Sequence, residues 1–368
     1  MARLFGPRKD PAATPEEVVM IEQMRELRGR VLTARGPVNP LQLGSVMMHE
    51  HLHCDLWDPA SGETVQEEKP MSPDRGAYLM EHAVPYLRQC TEHGCGAYVE
   101  TSFPPSRAWP DFYVQASETA DLHIILCTGF YREIEVGTYF VTEPKHQMWQ
   151  WAVESSEDEL YEMCVREIVH GIHDTDVRAG CIKLGTSLPE MSPNERKTFL
   201  AGGRAQMETG APITTHCTQI GAETSQLEVL DAVGVDLSRV IIGHTAAHLM
   251  DPACRKTCLE WMERGANFLP TNLGITGDGE RWRPLVEAIH EVFAAGHGDK
   301  LSFGLDWAFT SGTGQTEDGS FSACTFIPPP PFLHMFTDTL PAFRRMGLDP
   351  AEERAIMETN PQRVMAIA

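Results

Sequence analysis

No stretch of this 368-residue chain reaches 18 consecutive apolar residues, so it offers no candidate membrane span. Its ten cysteines form neither a CxxC pair nor a dense framework, and Cys54, Cys90, Cys95, Cys127, Cys181 and Cys217 lie scattered along the chain. That excludes a disulfide-stapled scaffold and reads as free thiols in a reducing compartment. No glycine-rich phosphate loop follows any apolar run, so nucleotide binding has no support. Positive charge is scarce: 30 Lys and Arg stand against 52 Asp and Glu, a formal charge of −22. Clustered cations are what phosphate binding needs, so nucleic acid and anionic membrane are not expected partners. The opening residues, MARLFGPRKDPAATPEE, lack an apolar signal core. The expected location is therefore cytoplasmic.

What is present is a rhythm. Hydrophobic residues make up 42% of the chain, enough for a sizeable core. Short apolar runs alternate with longer amphipathic ones, which predicts an α/β protein. Strands are expected near Ser45–Met48, Ala97–Glu100, His123–Cys127, Cys181–Leu184, Pro212–Thr215, Val240–Ile242, Phe268–Pro270 and Ser302–Leu305. Helices are expected over Asp74–Cys90, Glu157–His170, Pro193–Thr209, Glu223–Val233, Pro252–Gly265 and Arg281–Ala295. Eight strands suit a (β/α)8 TIM barrel over residues 41–368, with a doubly wound sheet as the alternative. Residues 1–40 read as an N-terminal extension, with a short helix over Pro15–Arg28 and a hairpin in RVLTARGPVNP. Two stretches break the rhythm. Trp307–Pro331 is long, rich in Gly, Ser and Thr, and ends in PPPP, which reads as either a functional loop or a disordered segment, with a substrate-covering loop the expectation. Phe130–Gln150 carries Tyr131, Tyr139, Phe140 and Trp149, candidates for a second wall over a pocket.

The densest chemical signal is MMHEHLHCD, residues 47–55. On a strand, residues two apart share a face, so His49 and His51 would converge as a metal-binding pair. The same residues spell H-E-x-x-H, with His49, Glu50 and His53, which on a helix is a metalloprotease arrangement. Upstream Pro37, Pro40 and Gly44 and downstream Pro59 leave little room for that helix. Further signals sit at predicted strand ends: His216 closes PITTH, His244 closes VIIGH, Asp306 closes LSFGLD, and Lys183 lies within CIKLG. In a barrel those ends build the active site. A buried ammonium beside metal cations is costly, whereas a neutral lysine amine can take up carbon dioxide to form an anionic carbamate. A substrate-binding or ion-paired lysine is the plainer alternative.

The chain resembles the phosphotriesterase-related family of the amidohydrolase superfamily. The matching pieces, in the family's order, are RGPV at 35–38, the G-x4-HEH segment from Gly44 to His51, IKLGTS at 182–187, ETGAPITTH at 208–216, IIGH at 241–244, LDW at 305–307 and NP at 360–361. The resemblance implies a (β/α)8 fold and a binuclear metal centre of divalent ions, usually Zn2+ and sometimes Co2+, Mn2+ or Fe2+. Carried over, His49, His51 and Asp306 would hold the more buried metal, and His216 and His244 the more exposed one. Lys183 matches the N6-carboxylated lysine that bridges them. Glu50 would then point away and be structural. Cys181 and Cys217 flank ligand positions without being needed as ligands.

The implied chemistry is hydrolysis of a small-molecule substrate by hydroxide generated at the metals, with Asp306 accepting a proton. Tyr131, after the GF turn, is a candidate to hydrogen-bond a carbonyl oxygen or leaving group. A lactone or carboxylic ester is the expected substrate. A phosphotriester or amide is the alternative, and a noncatalytic metal- or ligand-binding barrel the contrasting class. A homodimer is compatible with the sequence.

Overall fold

The computed structural model describes residues 24–56, 63–135, 144–309 and 327–368. Strands β3 (Ser45–Glu50), β4 (Cys95–Glu100), β5 (His123–Gly129), β8 (Cys181–Gly185), β9 (Ile213–His216), β10 (Val240–Gly243) and β11 (Asn267–Leu269) form one seven-stranded parallel sheet in chain order. Ahead of it, β1 (Val31–Thr33) and β2 (Gly36–Val38) pair as the expected hairpin. A two-residue ribbon, β6 (Ile134–Glu135) with β7 (Lys145–His146), lies beside the sheet's upper rim. The fold is a TIM barrel, as the sequence pattern predicts.

The barrel closes through residues 301–309, which pair with both edge strands without a regular ladder. Ser302 N–H donates to Phe268 and Gly304 N–H to Pro270 on one side. On the other side Met48 N–H donates to Phe303, Asp306 N–H to His49, and His51 N–H to Trp307. The ladder is broken because two of its amides go elsewhere: Leu305 N–H and Trp307 N–H donate to the Glu50 carboxylate at 2.7 and 3.0 Å. The predicted strand Ser302–Leu305 is thus a hydrogen-bonded edge whose partner is partly a side chain.

Side chains divide by the strand period of two. Val46, Met48, Ala97, Val99, Ile125, Cys127, Cys181, Ile241 and Leu269 fill the barrel interior. Their neighbours Met47, Tyr98, Ile124, Leu126, Ile182, Leu184, Ile213, Val240, Ile242 and Phe268 face the helices. Val31, Leu43, Val364, Met365 and Ala366 join the interior group from the two chain ends.

The helices that position the site are α1 (Pro73–His82), α2 (Val84–Glu92), α3 (Pro110–Ala120), α4 (Glu157–Val169), α5 (Pro193–Thr209), α6 (Ala222–Ala232), α7 (Ala246–Met250), α8 (Pro252–Glu263) and α9 (Arg283–Ala294). The helix expected over Asp74–Cys90 is two helices meeting at Ala83. Pro85 removes a backbone donor and crowds the preceding turn, which ends a helix. The expected Arg281–Ala295 helix opens with a 3-10 turn over Glu280–Trp282. α3 is a helix that the sequence pattern did not single out. Of the expected Pro15–Arg28 helix, residues 24–27 are described and helical, while the earlier part lies outside the described residues. So do Tyr139, Phe140 and residues 310–326 of the long segment after Asp306.

Candidate metal centre

The barrel's C-terminal rim gathers all six predicted ligand residues. Lys183 and His216 continue the inward-facing positions of β8 and β9, two residues on from Cys181 and Thr214. β3 needs a device, because Val46 and Met48 already point inward. A register shift supplies it: Met47 pairs with Tyr98 and Glu50 with Glu100, so three steps on β3 face two on β4. The extra residue is a bulge, which re-aims side chains. His49 and His51 then face the cavity, while Glu50 turns to the 305–307 backbone. Gly304 makes room for this turn, since a Cβ there would lie 2.8 Å from the His49 Cβ.

The donors converge closely. Lys183 Nζ lies 3.1 Å from His49 Nε2. Asp306 Oδ1 lies 3.6 Å from His49 Nε2 and 3.3 Å from His51 Nε2. Its Oδ2 lies 3.7 Å from His244 Nδ1. The rings of His49 and His244 are 4.6 Å apart, and those of His216 and His244 4.3 Å. His244 and Asp306 both sit at positive φ, 62° and 61°, a conformation costly for residues with a Cβ. Backbone strain is thus concentrated on two of the converging residues.

The fit of this pocket to metal ions rests on its unsatisfied atoms. His49 Nδ1, His216 Nε2 and His244 Nε2 are buried without a hydrogen-bond partner. Buried polar atoms normally find partners, so the orphaned Nε2 atoms of His216 and His244 are suited to ligate cations, while His49 turns its Nε2 toward Lys183 and Asp306 and its orphaned Nδ1 toward Gly243. The electrostatics agree at three of the four histidines; His51 is the exception, raised to about 10 against burial by Cys54 and Asp306 beside it. Burial, aided by Lys183, holds His49 well below the ordinary histidine range, and burial holds His244 down at about 3. Burial and His244 do the same for His216. Neutral imidazole is the ligating form. Burial also lowers the Lys183 ammonium to about 8, against the pull of Cys127 and Asp306. That brings the free amine, the form able to add carbon dioxide, within reach near neutral pH. Asp306 resists burial because His244 and His51 hold its carboxyl below the usual range.

Several supporting residues are of types that carry no distinctive signal in the sequence. Ser102 Oγ lies 2.8 Å from His51 Nδ1 and donates in turn to Glu100. Thr271 Oγ1 lies 2.7 Å from His244 Nδ1. Asn272 Nδ2 donates to Asp306 Oδ2 at 3.0 Å. Thr271 and Asn272 follow β11 directly, and that position at the C-terminal end of a barrel strand was the available clue. Tyr131 lies over His216, with its hydroxyl 3.4 Å from Nδ1 and its ring stacked on Phe103 at 4.4 Å. Trp149 takes no part in this wall; its indole N–H donates to the Gln66 carbonyl. His53 points elsewhere, accepting from Arg75 Nε at 3.3 Å, and the H-E-x-x-H residues begin on a strand instead of a helix.

Residues 29–365 match the model of the phosphotriesterase family. This chain belongs to that family. A phosphotriesterase homology protein of Mycobacterium tuberculosis is 25% identical over 351 residues, covering 90% of this chain and 96% of the relative. The N-acetyltaurine hydrolase of Tetraodon nigroviridis is 29% identical over 255 residues, covering 62% of this chain and 68% of that one. Among solved structures, one described as organophosphate hydrolysis activity engineered from a weak promiscuous lactonase template superposes with a TM-score of 0.73 at 28% identity. It covers 91% of this chain and 99% of its own. Phosphotriesterase-family enzymes are binuclear, metal-dependent hydrolases with a carboxylated lysine. No helix among the described residues is long and apolar enough to cross a membrane.

Proposed function

We propose that this chain is a binuclear metal-dependent hydrolase that opens a lactone or carboxylic ester. The observation that supports the reading is the convergence of His49, His51, Lys183, His216, His244 and Asp306, with the Nε2 atoms of His216 and His244 buried and unpartnered. In this reading His49, His51 and Asp306 would hold one ion, and His216 and His244 the other. Lys183 would add a carbamate ligand, formed when its neutral Nζ bonds to the carbon of CO2 and releases a proton. Two bound divalent ions, zinc in first place, supply water activation near neutral pH and a positive field for the substrate oxygen.

The protein's own groups do the rest. Asp306 takes a proton at its carboxylate, whose Oδ2 is held in place by the Asn272 amide. Asp306 is partly exposed, 24% for its side chain, so the proton has a route outward. Ser102 and Thr271 orient His51 and His244, as partners of ligating histidines do. The Tyr131 phenol, held by Phe103, offers a donor to a carbonyl oxygen or a leaving group.

A second reading, hydrolysis of an N-acyl amide, is favoured by the N-acetyltaurine hydrolases among the relatives. Turnover of a panel of lactones, carboxylic esters, phosphotriesters and N-acyl amides separates these readings. Hydrolysis should vanish on chelation and return with zinc or cobalt. Preference for the amide would replace the lactone reading, and failure to turn over any class when metal-loaded would sink the enzyme reading.

A further inference from the structure

Behind the candidate centre lies another convergence of donor atoms, which the hydrolase reading leaves unused. Cys217 follows His216 at the end of β9, Glu223 lies in the first turn of α6, and His248 lies on α7 just past His244. All three are buried, and their donor atoms lie within 4.8 Å of one another. One nitrogen, His248 Nε2, is 3.8 Å from Cys217 Sγ, 3.3 Å from Glu223 Oε2 and 3.3 Å from the Gln219 carbonyl oxygen. A single N–H can be directed at only one of these. Three electron-rich atoms crowding one ring nitrogen form a group that a cation would satisfy better than a proton. His248 Nδ1 is buried without a partner, so in the free protein the ring proton belongs on Nε2, toward Glu223 and Gln219, and a cation bound at Nε2 would displace it to Nδ1.

The spacing is that of a tetrahedral ion. Zinc bonds of about 2.3 Å to sulfur and about 2.0–2.1 Å to nitrogen or oxygen put sulfur and nitrogen about 3.5 Å apart, and nitrogen and oxygen about 3.3 Å apart. The distances found, 3.8 and 3.3 Å, are close to those. A further sulfur stands by: Cys254, on α8, places its Sγ 3.7 Å from Glu223 Oε1. We infer that Cys217, Glu223 and His248, completed by Cys254 after a side-chain rotation, form a closed structural zinc site separate from the catalytic centre. Binding releases the two thiol protons and forms two zinc–sulfur bonds. The four residues are at most 6% exposed, which leaves no open position for substrate. The site would tie the loop after His216 to the helix after His244, bracing both ligands of the proposed outer ion.

The test is to load metal-free protein with Co2+ alone and follow the near-ultraviolet thiolate-to-cobalt charge-transfer band. The proposed catalytic ligands are nitrogen and oxygen donors, so the band reads the second site. A band that saturates at one Co2+ per chain is expected. It should weaken in Cys217→Ser and in Cys254→Ser and disappear in the double variant, which should hold one zinc fewer than wild type. Absence of the band from wild type at every cobalt loading would overturn the inference whatever the variants do. So would a band that survives the Cys217→Ser/Cys254→Ser double variant in folded protein, since the thiolate would then lie elsewhere. The outcome is independent of turnover: an active enzyme without the band refutes only this site, and an inactive chain that shows it refutes only the hydrolase reading.

Discussion

The two ends of the barrel are built on opposite terms. At the N-terminal end the interior is plugged by Val31, Leu43, Val46, Val364 and Met365, brought from both ends of the chain. Their backbone is tied down as well: Gly29 N–H donates to Ile367 and Ile367 N–H to Arg30, and Arg239 donates to the carbonyls of Arg363 and Val364. At the C-terminal end the interior is imidazole, amine and carboxylate, with orphaned nitrogens and left-handed backbone at His244, Asn272 and Asp306. One end satisfies every apolar surface, and the other concentrates polar groups that burial alone would disfavour. Stability and chemistry are therefore separable along the barrel axis, as the general division of labour in TIM barrels suggests.

Substitutions at the two ends sharpen or break that comparison, and their effects on turnover should fall in a definite order. Lys183→Ala should do most: metal content drops and hydrolysis falls to background, with partial rescue by short-chain carboxylic acids that can occupy the bridging position. Elemental analysis beside an activity assay checks this, and full activity with metal retained would break the comparison outright. Asp306→Asn, assayed on variant protein shown to be metal-loaded, should lose about 100-fold in kcat for a substrate with a poor leaving group. Its thermal midpoint should barely move, because the change is nearly isosteric. Thr271→Val removes the hydroxyl beside His244 Nδ1 and should cost about tenfold in activity or metal affinity. Met365→Ala, at the opposite end, should leave kcat and KM unchanged while lowering unfolding free energy by about 2–3 kcal/mol, the usual cost of an emptied core position. A denaturant melt reads the loss; a parallel fall in kcat would show that the two ends are coupled.

The residues legible in the sequence were those whose chemistry is rare in a core. An apolar run that ends in His216, His244 or Asp306 has no packing explanation, and Lys183 inside a strand has even less. Thr271, Asn272 and Ser102 escaped because small hydroxyl and amide residues are ordinary in loops, and only position marks them. Periodicity located the strands, since interior and exterior faces alternate along β3, β4, β5 and β8. It failed at the bulge, where Met48 and His49 break the alternation, and at Pro85, a helix breaker plainly visible in the run that was read as continuous. α3 was passed over although Pro110 opens it and aromatic Phe112 and Tyr113 anchor it.

The Glu50 carboxylate that closes the barrel has a consequence for how such a chain is made. Its partner amide at Leu305 lies 255 residues further on. During synthesis the first barrel strand therefore waits, with an unpaired edge, until residues 301–309 have emerged. A carboxylate on that waiting edge stays hydrated and discourages a stray strand from annealing to it, as charged residues on open sheet edges do. When the last strand arrives, the same group captures two amide hydrogens and becomes the clasp. One acidic side chain thus serves first as a guard against misassembly and later as the seam that completes the cylinder.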